Sequence, residues 1–313
     1  MIRSLTIHLR RTLALCAMLT SLGLMAIAAP MQDETATRRL WDTDYLKQKP
    51  STTKTSAPKP QYRPVTPRIP TKAVRGETVL GITVWGLRKP AAADDKEVRI
   101  IKHKTDKAKV ASWTPIRIPA ETPLPAGQRV RLSIEAARSG YLYVINREQY
   151  ADGTVGAPYL TFPTTSLRGG DNQVTVGQPI DLPGLEDDPW YFTLEPSRPD
   201  QIGEIISIIV APKPIPDLKI GESEVQLPNE LVENWEKMWG AKVGRLELVG
   251  GAGKPWTKEE KAASAAKGQP LKRNDPLPQT VYYRSNAKPD EPLLISLRLR
   301  YGAVKTVSST RRR

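Results

Sequence analysis

The sequence predicts a mainly β protein: an immunoglobulin-like antiparallel β-sandwich with a small α-helical segment near the C-terminus. Three observations carry this expectation. From Thr78 onward apolar and polar residues alternate with period two, Pro and Gly punctuate the alternation every ten residues or so, and helical spacing shows itself in the C-terminal third.

Taken in order, residues 1–28 read as an export signal. Arg3, Arg10 and Arg11 precede an apolar run from Thr12 to Met25, and Ala26-Ile27-Ala28 offers small residues where a signal peptidase cuts. The run is shorter than the ~20 apolar residues of a membrane span. Cleavage after Ala28 removes Cys16, the only cysteine, and leaves a chain held together by packing alone. Residues 29–75 contain Pro30, Pro50, Pro58, Pro60, Pro64, Pro67 and Pro70 among Ser, Thr and Lys, a composition that reads as a disordered, basic, extended tether.

The sandwich is expected over residues 76–214. Thr78 to Leu87 is its first strand. In Val130 to Ala136 the alternation puts Arg131, Ser133 and Glu135 outward and Leu132, Ile134 and Ala136 inward, a half-buried strand. Tyr141 to Ile145 is apolar on both faces and belongs in mid-sheet, with Gly140 permitting the turn before it and Tyr141 and Tyr143 filling the sandwich. Asp152-Gly153 turns a hairpin into Tyr159 to Phe162. Gln173 to Val176, Tyr191 to Leu194 and Ile205 to Val210 add three more strands.

Residues 215–301 are expected as a helix-plus-strand extension packed on the sandwich, a separate small domain being the alternative. Asn229 to Trp239 sets Leu231, Trp235 and Trp239 on one helical face, with Gly240 at its C-terminal stop. Thr257-Lys258-Glu259-Glu260 is a capping box opening an Ala-rich helix. Val281 to Arg284 and Leu293 to Tyr301 return to strand, and residues 302–313 form a basic tail.

Charge and composition exclude more than they identify. The net charge is +14, yet residues 76–301 carry only +1, so the basic character belongs to the two flanks and not to a folded nucleic-acid groove. Two His and one Cys cannot build a Cys/His zinc site. Gly250-Gly251-Ala252-Gly253-Lys254 fails as a phosphate loop, because Leu248 and Pro255 stand where Gly and Ser or Thr are required. His103 lies among Lys102, Lys104, Lys107 and Lys109, the wrong charge for a catalytic base. Carboxylates remain: Glu148, Asp152, Asp171, Glu186, Asp187, Asp188 and Glu195 all fall near strand ends, where two facing each other could hydrolyse a glycosidic bond.

One resemblance is carried by four motifs in order: Pro125-Ala126-Gly127-Gln128-Arg129-Val130-Arg131-Leu132-Ser133, Gly140-Tyr141-Leu142-Tyr143-Val144-Ile145-Asn146, Leu160-Thr161-Phe162-Pro163, and Gly170-Asp171-Asn172-Gln173-Val174. Residues 120–213 resemble the bacterial domain-of-unknown-function family numbered 4384. The resemblance implies an exported or surface β-domain and brings no catalytic residues with it.

The expectation is an exported, periplasmic or extracellular, non-enzymatic envelope protein: an interaction or scaffolding module without metal or cofactor. The expected partner is another envelope protein, and anionic envelope polymer is a second partner, held by the basic flanks. Neither nucleic acid nor a membrane span is expected. The binding surface is sought at strand-end loops, with Arg147, Tyr150, Arg168 and Asp171 as candidates. A carboxylate-dependent hydrolase of envelope polysaccharide is the alternative.

Overall fold

Strand-forming alternation resolves into two antiparallel sheets in a computed structural model of the chain. The structure describes Leu46, Lys49 and residues 61–64, 78–102, 111–240, 243–265, 268–284, 288 and 290–302. The expected export signal, His103, most of the Pro-rich segment and the tail beyond Gly302 lie outside these residues. The described strands are β1 (Tyr62–Pro64), β2 (Thr78–Arg88), β3 (Ile100–Lys102), β4 (Ala111–Ile118), β5 (Gln128–Ala136), β6 (Gly140–Tyr150), β7 (Tyr159–Phe162) and β8 (Gln173–Val174). They continue with β9 (Ile180–Leu182), β10 (Phe192–Leu194), β11 (Gln201–Ala211), β12 (Val225–Gln226), β13 (Val243–Leu248), β14 (Thr280–Arg284) and β15 (Leu293–Arg300). Two helices, α1 (Asn229–Trp239) and α2 (Lys258–Ala263), stand among them.

In the larger sheet β2 is central. One of its edges pairs with β5, the other with β14 over Thr78–Ile82 and then β4 over Val84–Arg88. Strands β13 and β1 continue beyond β14, β3 lies beyond β4, and β9 and β10 follow one another along the far edge of β5. The smaller sheet runs β12-β7-β6-β11-β15, with β8 beside the start of β6. Leu80, Ile82, Val84, Leu132 and Ile134 from the first sheet meet Leu142, Val144, Ile208, Ile295 and Leu297 from the second in one core. This is the β-sandwich that the alternation predicts, and each such fully buried aliphatic side chain contributes about 1.5–3 kcal/mol.

Strand β6 is apolar on both faces because both are covered. Leu142 and Val144 enter the sandwich core, whereas Tyr143 and Ile145 pack under α1 with Ile209, Val232, Trp235 and Leu294. Tyr143 therefore does not fill the sandwich; its hydroxyl accepts the Ile215 N–H at 2.9 Å on the helix side. Gly140 also has a different role from the one expected. A Cβ there would lie 2.4 Å from the carbonyl oxygen of Ala211, so close approach of β11, not a turn, requires glycine. Gly240 ends α1 with φ −93°, and its missing Cβ makes room for the Glu236 carbonyl oxygen.

Strand β5 corrects the expectation of a half-buried strand. Arg131, Ser133 and Glu135 do face away from the sandwich core, yet they are 1%, 8% and 5% exposed. Their cover comes from far along the chain: Trp190 and Trp256 pack over Trp85, and Lys49 Nζ reaches Glu135 at 2.6 Å. Arg131 donates to Pro183 O at 2.8 Å and ion-pairs with Asp181, while Ser133 accepts the Trp85 indole N–H at 2.7 Å and donates to Asp181. Part of the Pro-rich segment belongs to this cover. Tyr62–Pro64 pairs with Leu246–Leu248, and the Tyr62 hydroxyl donates to Pro278 O at 2.6 Å.

Among the described residues no helix is long and apolar enough to cross a membrane.

Candidate functional site

The four side chains singled out in the sequence do not converge. Register places Tyr141 opposite Gln173, so Asp171 sits by the first residues of β6, whereas Tyr150 is its last residue. Nine residues of strand separate the two ends, about 30 Å. Arg147 is buried, donating to Gly156 O at 3.4 Å and approaching Glu236 of α1 at 3.6 Å. The Tyr150 hydroxyl donates to Glu148, and the Arg198 guanidinium lies 4.2 Å over the Tyr150 ring. Arg168 has φ +52°, and its backbone N–H donates to Asp187 at 2.9 Å. Asp171 accepts the Gln173 N–H at 3.0 Å. Each has a local structural partner. The acidic loop behaves likewise: Asp187 accepts from the N–H groups of Arg168 and Gly184, and Glu186 and Asp188 are exposed. Among the described residues no group of three or more His, Cys, Asp or Glu is placed to hold a metal ion.

The structure instead opens a small pocket between the two sheets, with a cavity volume of about 170 Å³. Val130 and Leu132 of β5, Leu182 of β9 and Phe192 and Leu194 of β10 form one wall. Val144 of β6, Phe162 of β7, Ile206 of β11 and Leu299 of β15 form the other, and Asn146 and Glu204 stand among them. An apolar lining with few polar groups is that of a small-molecule site, and the volume admits only a slender ligand.

The polar groups gather at one end because the strands run in register. Ile206 is opposite Asn146, and two pairs further, on the same face, Glu204 is opposite both Glu148 on β6 and Leu299 on β15. Glu204 Oε1 accepts from Gln201 Nε2 at 2.7 Å and from the Tyr301 hydroxyl at 2.8 Å. Its Oε2, like Asn146 Oδ1, is buried with no hydrogen-bond partner. Burial raises the Glu204 carboxyl above the usual carboxylate range; the Tyr301, Asn146 and Gln201 side chains oppose the shift by hydrogen bonding, while the charge of Glu148 adds to it. Burial likewise pushes the Tyr301 phenol well up, and its hydrogen bond to Glu204 and the charges of Glu204, Glu148 and Glu195 push it further. No Lys or Arg is ion-paired with Glu148, Glu195 or Glu204 among the described residues. Arg198, the cation over Tyr150, is held by Asp200 at 2.7 Å.

Sequence reading missed Asn146 and Glu204, although parity marks them: Leu142, Val144 and Asn146 share one face of β6, and Glu204, Ile206 and Ile208 share one face of β11. A polar residue on the inward parity of a buried strand is the signal that finds them.

Compared with known proteins, the chain matches no family model, no curated protein and no solved structure.

Proposed function

We propose that this is an exported cell-envelope protein that works by binding, a non-enzymatic interaction or scaffolding module of the kind the 4384-like motifs suggest, with the pocket between its sheets as its ligand site. The observation that carries the reading is the pairing of an apolar pocket with two buried, unpartnered acceptors, Asn146 Oδ1 and Glu204 Oε2. Buried polar atoms without partners are uncommon, and where they line an open pocket a ligand can complete them. The basic flanks add a second, salt-sensitive contact with anionic envelope material.

The test is calorimetry and thermal unfolding of the purified protein against a panel of small amphiphiles, alongside assays of envelope polysaccharide breakdown. Saturable stabilisation by at least one amphiphile without turnover is the expected result. No stabilisation by any of them would overturn the reading.

A hydrolase of envelope polysaccharide is the second reading, favoured by Glu148 and Glu204 lying opposite each other on adjacent strands. Such residues carry their Cβ atoms about 4.5–5.5 Å apart, near the carboxylate spacing of about 5–5.5 Å in retaining glycosidases. The apolar lining suits a sugar poorly. Release of reducing ends that Glu204→Gln abolishes would establish this reading over the first.

A further inference from the structure

We propose that the pocket takes a small amphiphile bearing a primary ammonium head on an aliphatic body, with the head seated between Asn146 Oδ1 and Glu204 Oε2. This rests on the binding reading above and names its ligand class.

Three features select the head. Both orphaned atoms are acceptors, so whatever completes them must donate hydrogen bonds, and an ammonium offers three N–H groups. The polar end is surrounded by carboxylates of one sign: Glu204 itself, Glu148 opposite it on β6, and Glu195 after β10, which acts on the same Tyr301 hydroxyl. None of the three is ion-paired with Lys or Arg among the described residues. An anionic head would meet only repulsion there, and a hydroxyl head would supply a single donor for two acceptors. The body is selected by the rest of the lining, which is mostly apolar: Val130, Leu132, Leu182 and Leu194 on one wall, Val144 and Ile206 on the other. Burial of the Glu204 carboxyl, which already disfavours its charged form, is the cost that a bound cation relieves.

The experiment titrates the purified protein with octylamine, octanol and octanoate below their aggregation concentrations and reads affinity by calorimetry. Octylamine is expected to bind at least tenfold more tightly than octanol, and octanoate not measurably. Glu204→Gln, an isosteric change whose folding is checked by circular dichroism, is expected to weaken octylamine at least tenfold and leave octanol unchanged. Leu194→Trp, a lining position whose side chain faces the sandwich core and whose folding is checked in the same way, is expected to block both by filling the pocket. Octanoate binding as well as octylamine, or octylamine indifferent to Glu204→Gln, would overturn the ammonium assignment while leaving a binding pocket in place. Octylamine binding that survives Leu194→Trp would also overturn it, by placing the amine elsewhere. Failure of all three probes would remove both the assignment and the binding reading.

Discussion

Arg117 on β4 and Glu260 on α2, 143 residues apart in sequence, form an ion pair in which both side chains are almost wholly buried. Arg117 also donates to Leu277 O at 2.6 Å and lies 5.2 Å from the centroid of the Trp85 ring. Glu260 closes the capping box by accepting the Thr257 N–H at 2.9 Å while Thr257 Oγ1 accepts the Glu260 N–H at 3.2 Å. One carboxylate thus starts a helix and fastens it to the sheet.

Glu260→Ala should therefore destabilise the protein by about 3–5 kcal/mol, because it leaves the Arg117 charge buried and uncompensated. Urea unfolding measures the loss. Replacing both partners with Met should recover most of it, since well-packed apolar side chains often equal a buried pair.

Ser133→Ala removes the acceptor of the Trp85 indole N–H and one donor to Asp181. The expected cost is about 1–3 kcal/mol, the penalty of leaving buried polar groups unmade, with a change in tryptophan emission. Combined with Glu260→Ala the effects should depart from additivity by about 0.5–3 kcal/mol, because Arg117 and Ser133 both touch Trp85.

Asp94 supplies a pH prediction. Arg88 grips both its oxygens at 2.7 and 2.8 Å, and Ala91 N–H and the Thr114 hydroxyl donate as well. The Arg88 hydrogen bond, foremost, holds this carboxyl well below the usual carboxylate range. A folded value below the unfolded one, about 3.9, means a stability contribution complete above that unfolded value and lost as pH falls through the folded one. The stability gap between the wild type and Asp94→Asn, read from urea midpoints, should be constant near neutrality and close progressively below about pH 4.

Two glycine substitutions should fail for different reasons. At Gly203 a Cβ would lie 2.4 Å from the Leu299 carbonyl oxygen, so Gly203→Ala must push β11 from β15, at about 1–3 kcal/mol. At Gly153 nothing lies near, but φ is +87°, and Gly153→Ala should cost about 1–2 kcal/mol through the backbone alone. Hydrogen exchange in β11 should rise only in the first variant.

Parity along strands was readable from the sequence, whereas what covers each face was not. Leu132 and Ile134 point into the sandwich as alternation requires. Arg131 and Ser133 point the other way, and what covers them comes from later in the chain: Asp181, which meets both, and the Trp256 ring, which lies against Arg131. The capping box at Thr257 was legible because its partners are three residues apart, but the Arg117 that shares Glu260 was not. At the site, apolar patterning marks strand only as far as Ile145 and again from Ile205, so Asn146 and Glu204 fall just outside it. Arg147, judged by its position near a strand end, falls on the α1 side of the sheet and is occupied there by Gly156 and Glu236.

The two walls of the pocket differ in stiffness. Glu204 belongs to β11, which is laddered on both flanks, to β6 as far as Ala211 and to β15 from Gly203 to Val210. The facing wall includes β9 and β10, strands of three residues each that hold to β5 along a single edge. Short elements with few ladder bonds open at lower free energy than long paired ones. The rigid side thus bears Glu204 and Asn146, and the compliant strands β9 and β10 offer the pocket apolar side chains. A guest's polar end meets a fixed template, while its hydrocarbon end meets a wall that yields, so discrimination among head groups should be strict and tolerance of chain length broad.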